Sequence, residues 1–284
     1  MKYSIYFLMI YLFLFAACKD QQKENKEKSV KQTDTTKTAG KQTTANTENN
    51  EVRSEAPDAL NKTEQGYALP RFDDGMAQSP INILSSSAEK DTQHQIVLKF
   101  NDEINAVENL GHTIQLDFTD GSTTIADGKM YAFKQLHFHT PSEHLIDGMT
   151  FPMEMHVVNL SKDQKAGEGP AYIVIGILFK MGRENKFIKE FLNSVPGEEH
   201  KKEKLRPGTV KLEDLFNGIP KKELRPYYHY KGSLTTAPYT ESVDWIIKKY
   251  IFEASPDQIK AMEKIEGDNA RHVQALYQRK VLSN

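Results

Sequence analysis

One cysteine, Cys18, stands among 284 residues. No disulfide within the chain can form, so the stability of any fold has to come from its core. Neither sign of charge is in excess: 37 Lys and Arg against 39 Asp and Glu leave a formal net charge of −2. That balance offers no electrostatic footprint for nucleic acid or for a strongly charged partner. The longest unbroken apolar run, Ile5 to Ala17, falls short of the roughly 20 residues that a membrane-spanning helix needs. Aromatic residues are missing altogether between residues 19 and 65. There is no internal repeat and no glycine-rich phosphate loop.

The N-terminus reads as a secretory leader over residues 1–18, with Lys2 as its positive region and Ile5 to Ala17 as its apolar core. Leu14-Phe15-Ala16-Ala17-Cys18 resembles a bacterial lipobox, which implies cleavage before Cys18, attachment of lipid to it and residence in a bacterial cell envelope. Several acyl chains on Cys18 would give stable membrane anchorage. Residues 19–65, rich in Lys, Gln, Asn, Glu and Thr, cannot bury enough apolar surface to fold. They read as a polar tether with a reach of roughly 40 Å. From Gly66 aliphatic and aromatic residues appear at globular density, so residues 66–284 are expected to form one domain.

Two apolar stretches in that domain carry the chemistry. QLHFH holds His137 and His139, and MEMHVVNL holds His156. Both alternate as strands do. His137 and His139 therefore share a strand face about 6.6 Å apart, and His156 can join them from a neighbouring strand. Three neutral imidazoles and an open position suit a catalytic zinc site. Gln135 and Glu154 lie on the same faces, two residues before His137 and His156, where they can hold the other ring nitrogen of a ligating histidine. Strands are expected at 96–100, 113–118, 131–139, 153–160, 171–180 and 242–250. A helix is expected over 184–195, stopped by Pro196-Gly197. A second opens at Ser255-Pro256 and runs to about Ile265.

QLHFHTPSEH and MEMHVVNL, with QSPINI (Gln78 to Ile83), NLGH (Asn109 to His112), GSLTTAP (Gly232 to Pro238) and the spacing Asn269, Arg271, Gln274, resemble the α-class carbonic anhydrases in order and approximate spacing. The resemblance implies a mainly β (α+β) single domain, with a large, mostly antiparallel twisted sheet and short peripheral helices. It implies Zn2+ on His137, His139 and His156, and hydration of CO2 to bicarbonate and a proton. Thr235 matches the threonine that orients the attacking hydroxide, and Glu143 matches the carboxylate that receives the threonine's proton. Val158, Val174, Leu234, Val243 and Trp245 would wall the CO2 pocket, with Thr236 at its bicarbonate end. His112 matches the proton-shuttle histidine, and His144 a buried structural one beside Tyr230 and Glu154. His94, His200, His229 and His272 lack a patterned context and are expected in solvent.

The chain also departs from the family. The cysteine pair that many bacterial relatives carry, before QSP and after LTTPP, is missing at both places. GYALPRF, with Tyr67, stands where relatives have a segment containing tryptophan and tyrosine. Leu110 replaces an asparagine that often lines the proton path. Two other readings of the motifs exist. One is a non-catalytic binding module on the same fold, which loss of a zinc histidine would signal. The other is a different HxH…H metalloenzyme, which would have no use for a Thr235–Glu143 pair.

Overall fold

Strands that are apolar on both faces belong at the centre of a sheet, and the histidine-bearing segments take that place. The computed structural model describes residues 75–99, 104–119, 121–163 and 171–284. The leader, Cys18, the tether and Tyr67 lie outside the described residues. In chain order the strands are β1 (Asn82–Ile83), β2 (Glu89–Lys90), β3 (Ile96–Lys99), β4 (Ile104–Asn109), β5 (Ile114–Phe118), β6 (Thr123–Ala126), β7 (Lys129–His139) and β8 (Leu145–Ile146). They continue with β9 (Met153–Ser161), β10 (Tyr172–Met181), β11 (Lys201–Lys204), β12 (Tyr227–Gly232), β13 (Val243–Lys248), β14 (Phe252–Ala254) and β15 (Leu282–Ser283). Among the described residues four α-helices accompany them: α1 (Lys186–Leu192), α2 (Glu213–Phe216), α3 (Lys221–Leu224) and α4 (Pro256–Glu266).

The main path of the 13-stranded sheet runs β11-β4-β5-β7-β9-β10-β13-β12-β15-β2, with β6 on β7, β3 on β6 and β14 on β10. Pairing is mostly antiparallel; β10 with β13, β10 with β14, and β15 with β2 are parallel. A large sheet with short peripheral helices is the expected fold class.

Alternation sorts each strand between two cores. Leu136 and Phe138 of β7, Met155 and Val157 of β9, and Ile175 and Ile177 of β10 pack with Phe187, Ile188 and Phe191 of α1 and with Ile259 and Met262 of α4. Val158, Val174, Tyr230, Val243 and Trp245 belong to a second cluster. His137, His139 and His156 have the opposite parity to the first set, so they share the face of the second.

The Asn185 side chain caps α1 by accepting from Ile188 N, so the helix is shorter at both ends than the expected 184–195. Ser255 and Gln258 form a reciprocal capping box on α4 with Pro256 in the first turn, which explains its sharp start.

Two of the histidines expected in solvent are enclosed instead. His229 on β12 is buried, and the His94 ring stacks on it with centroids 3.9 Å apart. Asp244 pairs with His229 and Asp127 with His94, which offsets the cost of enclosing two imidazoles.

Glu266 ends α4 as a buried carboxyl. One oxygen accepts from Ile114 N at 3.3 Å and the other lacks a partner. Burial pushes it up to about 8. A carboxyl raised in the folded state opposes folding progressively as pH climbs past its unfolded value near 4.5, and in full once pH exceeds the folded value. Glu266→Gln, which cannot ionise, is expected to stabilise the protein at pH 9 by about 2–4 kcal/mol, with the gain vanishing near pH 4. Thermal melts at both pH values check this; the same difference at each would show that ionisation is not the cause.

Candidate metal centre

β7 supplies His137 and His139 on one face, and antiparallel pairing sets His137 opposite His156 of β9. One nitrogen from each of the three rings lies within 4.8 Å of the others. Hydrogen bonds decide which nitrogens are free. His137 Nδ1 is engaged with Gln135 Oε1 at 2.9 Å, and His156 Nε2 with Glu154 Oε1 at 2.8 Å. That leaves Nε2 of His137 and Nδ1 of His156. His139 Nε2 and His156 Nδ1 approach the same oxygen, Glu143 Oε2, at 3.6 and 3.8 Å. Neither His139 nitrogen completes a hydrogen bond, an expensive state for a buried imidazole unless something else takes its lone pair.

The electrostatics agree with a cation site. Burial, reinforced by His139 and His156, holds His137 well below the usual histidine range. Burial likewise brings His139 down to about 4 and lowers His156. All three rings are thus neutral at pH 7, with lone pairs available to a metal. An all-imidazole donor set of this kind fits zinc.

Glu154 anchors the centre from behind. Burial alone would raise its pKa, yet His144 and His156 hold it well below the carboxylate range. Its Oε1 meets His144 Nδ1 at 2.7 Å as well as His156, and its Oε2 accepts from the Glu143 and His144 backbone N–H groups at 2.9 and 2.8 Å. His144, Glu154 and His156 are also close enough to hold an ion, but these hydrogen bonds already fill their facing atoms. His144 Nε2 pairs with Tyr230 Oη at 2.6 Å, and Tyr230 donates to Ser79 Oγ at 2.9 Å.

Thr235 is buried in the loop after β12, and its side chain interacts with the Glu143 carboxyl. Burial raises Glu143 to about 7, against the pull of His156, of Thr235 and of the Arg271 backbone N–H. That N–H reaches Glu143 Oε1 at 2.9 Å, while Oε2 has no completed hydrogen bond. Arg271 Nη1 also donates to Gln78 Oε1 and Ser79 O, at 3.0 and 2.7 Å. Three separated motifs therefore meet behind one carboxylate.

Val158, Val174, Val243 and Trp245 are buried in one cluster with half-buried Leu234. The Trp245 ring lies 4.8 Å from that of His156, so this apolar wall adjoins the histidines. Thr236 is exposed beside Thr235. His112 is exposed in the turn after β4, with Nδ1 3.1 Å from the Leu110 carbonyl. Packing around His112 lowers its pKa; the Leu110 carbonyl opposes this and His200 adds to it.

One positioning residue escaped the motif reading. Gly176 on β10 lies opposite His156, and a Cβ there would stand 2.9 Å from Glu154 Oε1 and 2.6 Å from Ile247 Cδ1. A glycine inside an otherwise continuous apolar strand is the available signal for such a close approach.

Comparison with known proteins gives the same answer. The model of the eukaryotic-type carbonic anhydrase family matches residues 66–284. A carbonic anhydrase of Neisseria gonorrhoeae is 34% identical over 73% of this chain and 77% of its own. Among solved structures, the alpha-carbonic anhydrase of Thermovibrio ammonificans with the inhibitor sulfanilamide shares 36% identity and a TM-score of 0.66, over 73% of this chain and 87% of that one. A dioscorin complexed with ascorbate shares 26% identity and a TM-score of 0.65, over 74% of this chain and 86% of that one. This chain therefore belongs to the eukaryotic-type, or alpha, carbonic anhydrase family.

Proposed function

We propose that the protein hydrates CO2 reversibly with a zinc ion on His137, His139 and His156, as an enzyme tethered to a bacterial envelope by lipid on Cys18. The observation that carries the catalytic part is the convergence of three neutral imidazoles beside the Thr235–Glu143 pair, with an apolar wall adjoining. When bound, zinc supplies Lewis acidity that ionises water near neutral pH, a property of carbonic anhydrases as a class.

The remaining work falls to the chain. A cation on the three histidines would favour the ionised form of Glu143; that form can only accept, so the Thr235 hydroxyl donates to Glu143 and keeps its oxygen as an acceptor. That fixes the direction from which the attacking oxygen meets carbon. Val158, Val174, Leu234, Val243 and Trp245 hold CO2 without competing donors, and Thr236 meets the bicarbonate as it forms. His112, whose residue type changes charge in the neutral range, carries the released proton toward buffer.

Stopped-flow CO2 hydration by the full chain, before and after a zinc chelator, tests the core of this reading. Activity should disappear with the metal and return with one zinc per chain; hydration that survives metal removal sinks it. Cys18→Ala should leave hydration intact and abolish membrane association. Labelled fatty acid still incorporated into Cys18→Ala would rule out the anchor.

A further inference from the structure

We infer that His200 is a second histidine on the proton's way out, receiving protons from His112 and releasing them to solvent at the rim of the site. The inference rests on the proposed role of His112.

β11 pairs with β4 so that Lys201 faces Asn109, and His200 N donates to Asn109 O at 2.6 Å. The Asn109 side chain clamps the two loops together. Its Nδ2 donates to Pro196 O at 2.9 Å, and its Oδ1 accepts from Gly111 N at 2.8 Å. A Cβ on Gly111 would stand 3.0 Å from the Glu199 carboxyl, so that carboxylate rests against the residue preceding His112. From the other side, Asn269 Nδ2 donates to the His112 carbonyl at 2.7 Å. The turn carrying His112 and the loop carrying His200 are thus one fixed assembly, with both histidines exposed.

His200 also occupies a left-handed backbone conformation, φ 60°, which costs a non-glycine residue about 1 kcal/mol or more. Asparagine and histidine are the non-glycine types that tolerate this conformation best, so a change between them leaves the turn intact. The two rings sense each other, since positive charge on His200 disfavours the proton on His112. Among the described residues His112 is electrostatically linked to His137 and His139 on β7 and to His200 on the adjoining loop, and the Glu199 carboxyl lies against the neighbouring Gly111. In the step itself an N–H bond of the His112 imidazolium breaks and one forms on the neutral His200 ring, across intervening water. Buffer then takes the proton from His200.

His200→Asn keeps the backbone conformation and removes the relay. In the full-length zinc enzyme it is expected to lower kcat in dilute buffer by about 2- to 5-fold with kcat/KM unchanged, and added imidazole should restore the loss. In NMR titrations of the metal-free protein, the His112 ring should titrate at higher pH in His200→Asn, because the neighbouring positive charge is gone. Parent kcat in dilute buffer, a fall in kcat/KM equal to that in kcat, or an unmoved His112 titration would each overturn the relay. A parallel His112→Ala variant separates the failures. If it too keeps parent kcat in dilute buffer, the role of His112 is wrong and the relay falls with it. If it loses kcat and His200→Asn does not, the His200 step alone is wrong.

Discussion

Thr235→Val is expected to lower kcat/KM for CO2 hydration by roughly 30- to 1,000-fold while zinc stays bound at one per chain. Valine keeps the approximate shape in a buried position, so the loss isolates the hydroxyl. That hydroxyl has two tasks in the proposed mechanism: it donates to Glu143 and it accepts from the attacking oxygen. Removing it leaves the nucleophile free to rotate, and Glu143 keeps only the Arg271 backbone donor at Oε1. Losing one preorganised polar contact of this kind costs about 2–4 kcal/mol in a transition state. Glu143→Gln should act in the same direction, because an amide can donate to Thr235 and reverse the polarity of the pair. Stopped-flow kinetics with zinc analysis on the same samples checks both. A Thr235→Val enzyme that works at the parent rate with its zinc in place would refute the orientation role.

Glu154→Gln is expected to cost about 3 kcal/mol of stability and to weaken zinc binding by about 10- to 100-fold. Four donors converge on the two oxygens of Glu154: the rings of His144 and His156 and the N–H groups of residues 143 and 144. An amide has one oxygen, so whichever way it turns, an NH2 group faces donors that were satisfied. The alternative of moving aside is closed by β10, since the space over Gly176 is already only large enough for Glu154 and Ile247. His156 would lose the acceptor that fixes its ring, and its free nitrogen would no longer be aimed. Thermal unfolding and competition with a zinc chelator measure the two effects separately. Parent values in both would mean that His156 is oriented by packing alone.

The metal site was legible because its spacing coincides with a strand's own period: His137 and His139 share a face by alternation, and Glu154 and Gln135 share it with the ligands they touch. Resemblance, and not periodicity, brought Thr235 and Glu143 together, since a loop threonine and a distant glutamate carry no local signal of proximity. The strands at 131–139, 153–160 and 171–180 were readable for their length. β1, β2, β8, β14 and β15 are two or three residues long, too short to show any period. β12 was hidden because YYHYKG mixes aromatic and charged letters. The same strand explains why His94 and His229 read as surface residues. Their burial depends on a ring brought in from far along the chain and on Asp127 and Asp244, which no window of neighbouring sequence contains.

The place of β15 bears on how the molecule can be made. Its two residues lie between β12 and β2 in the main path of the sheet, so this late segment is an interior strand and β2 is joined to that path through it. A polypeptide is synthesised from its N-terminus, so β2 emerges early and waits through nearly the whole domain before its partner exists. Loop closure over that span is slow and entropically costly. The final turn of chain, from Asn269 through Arg271 to Leu282, also brings the supports for Thr140, Glu143 and Ser79. A nascent chain can therefore hold all three of these histidines and still lack the supports behind them, which arrive only with residues 269–283.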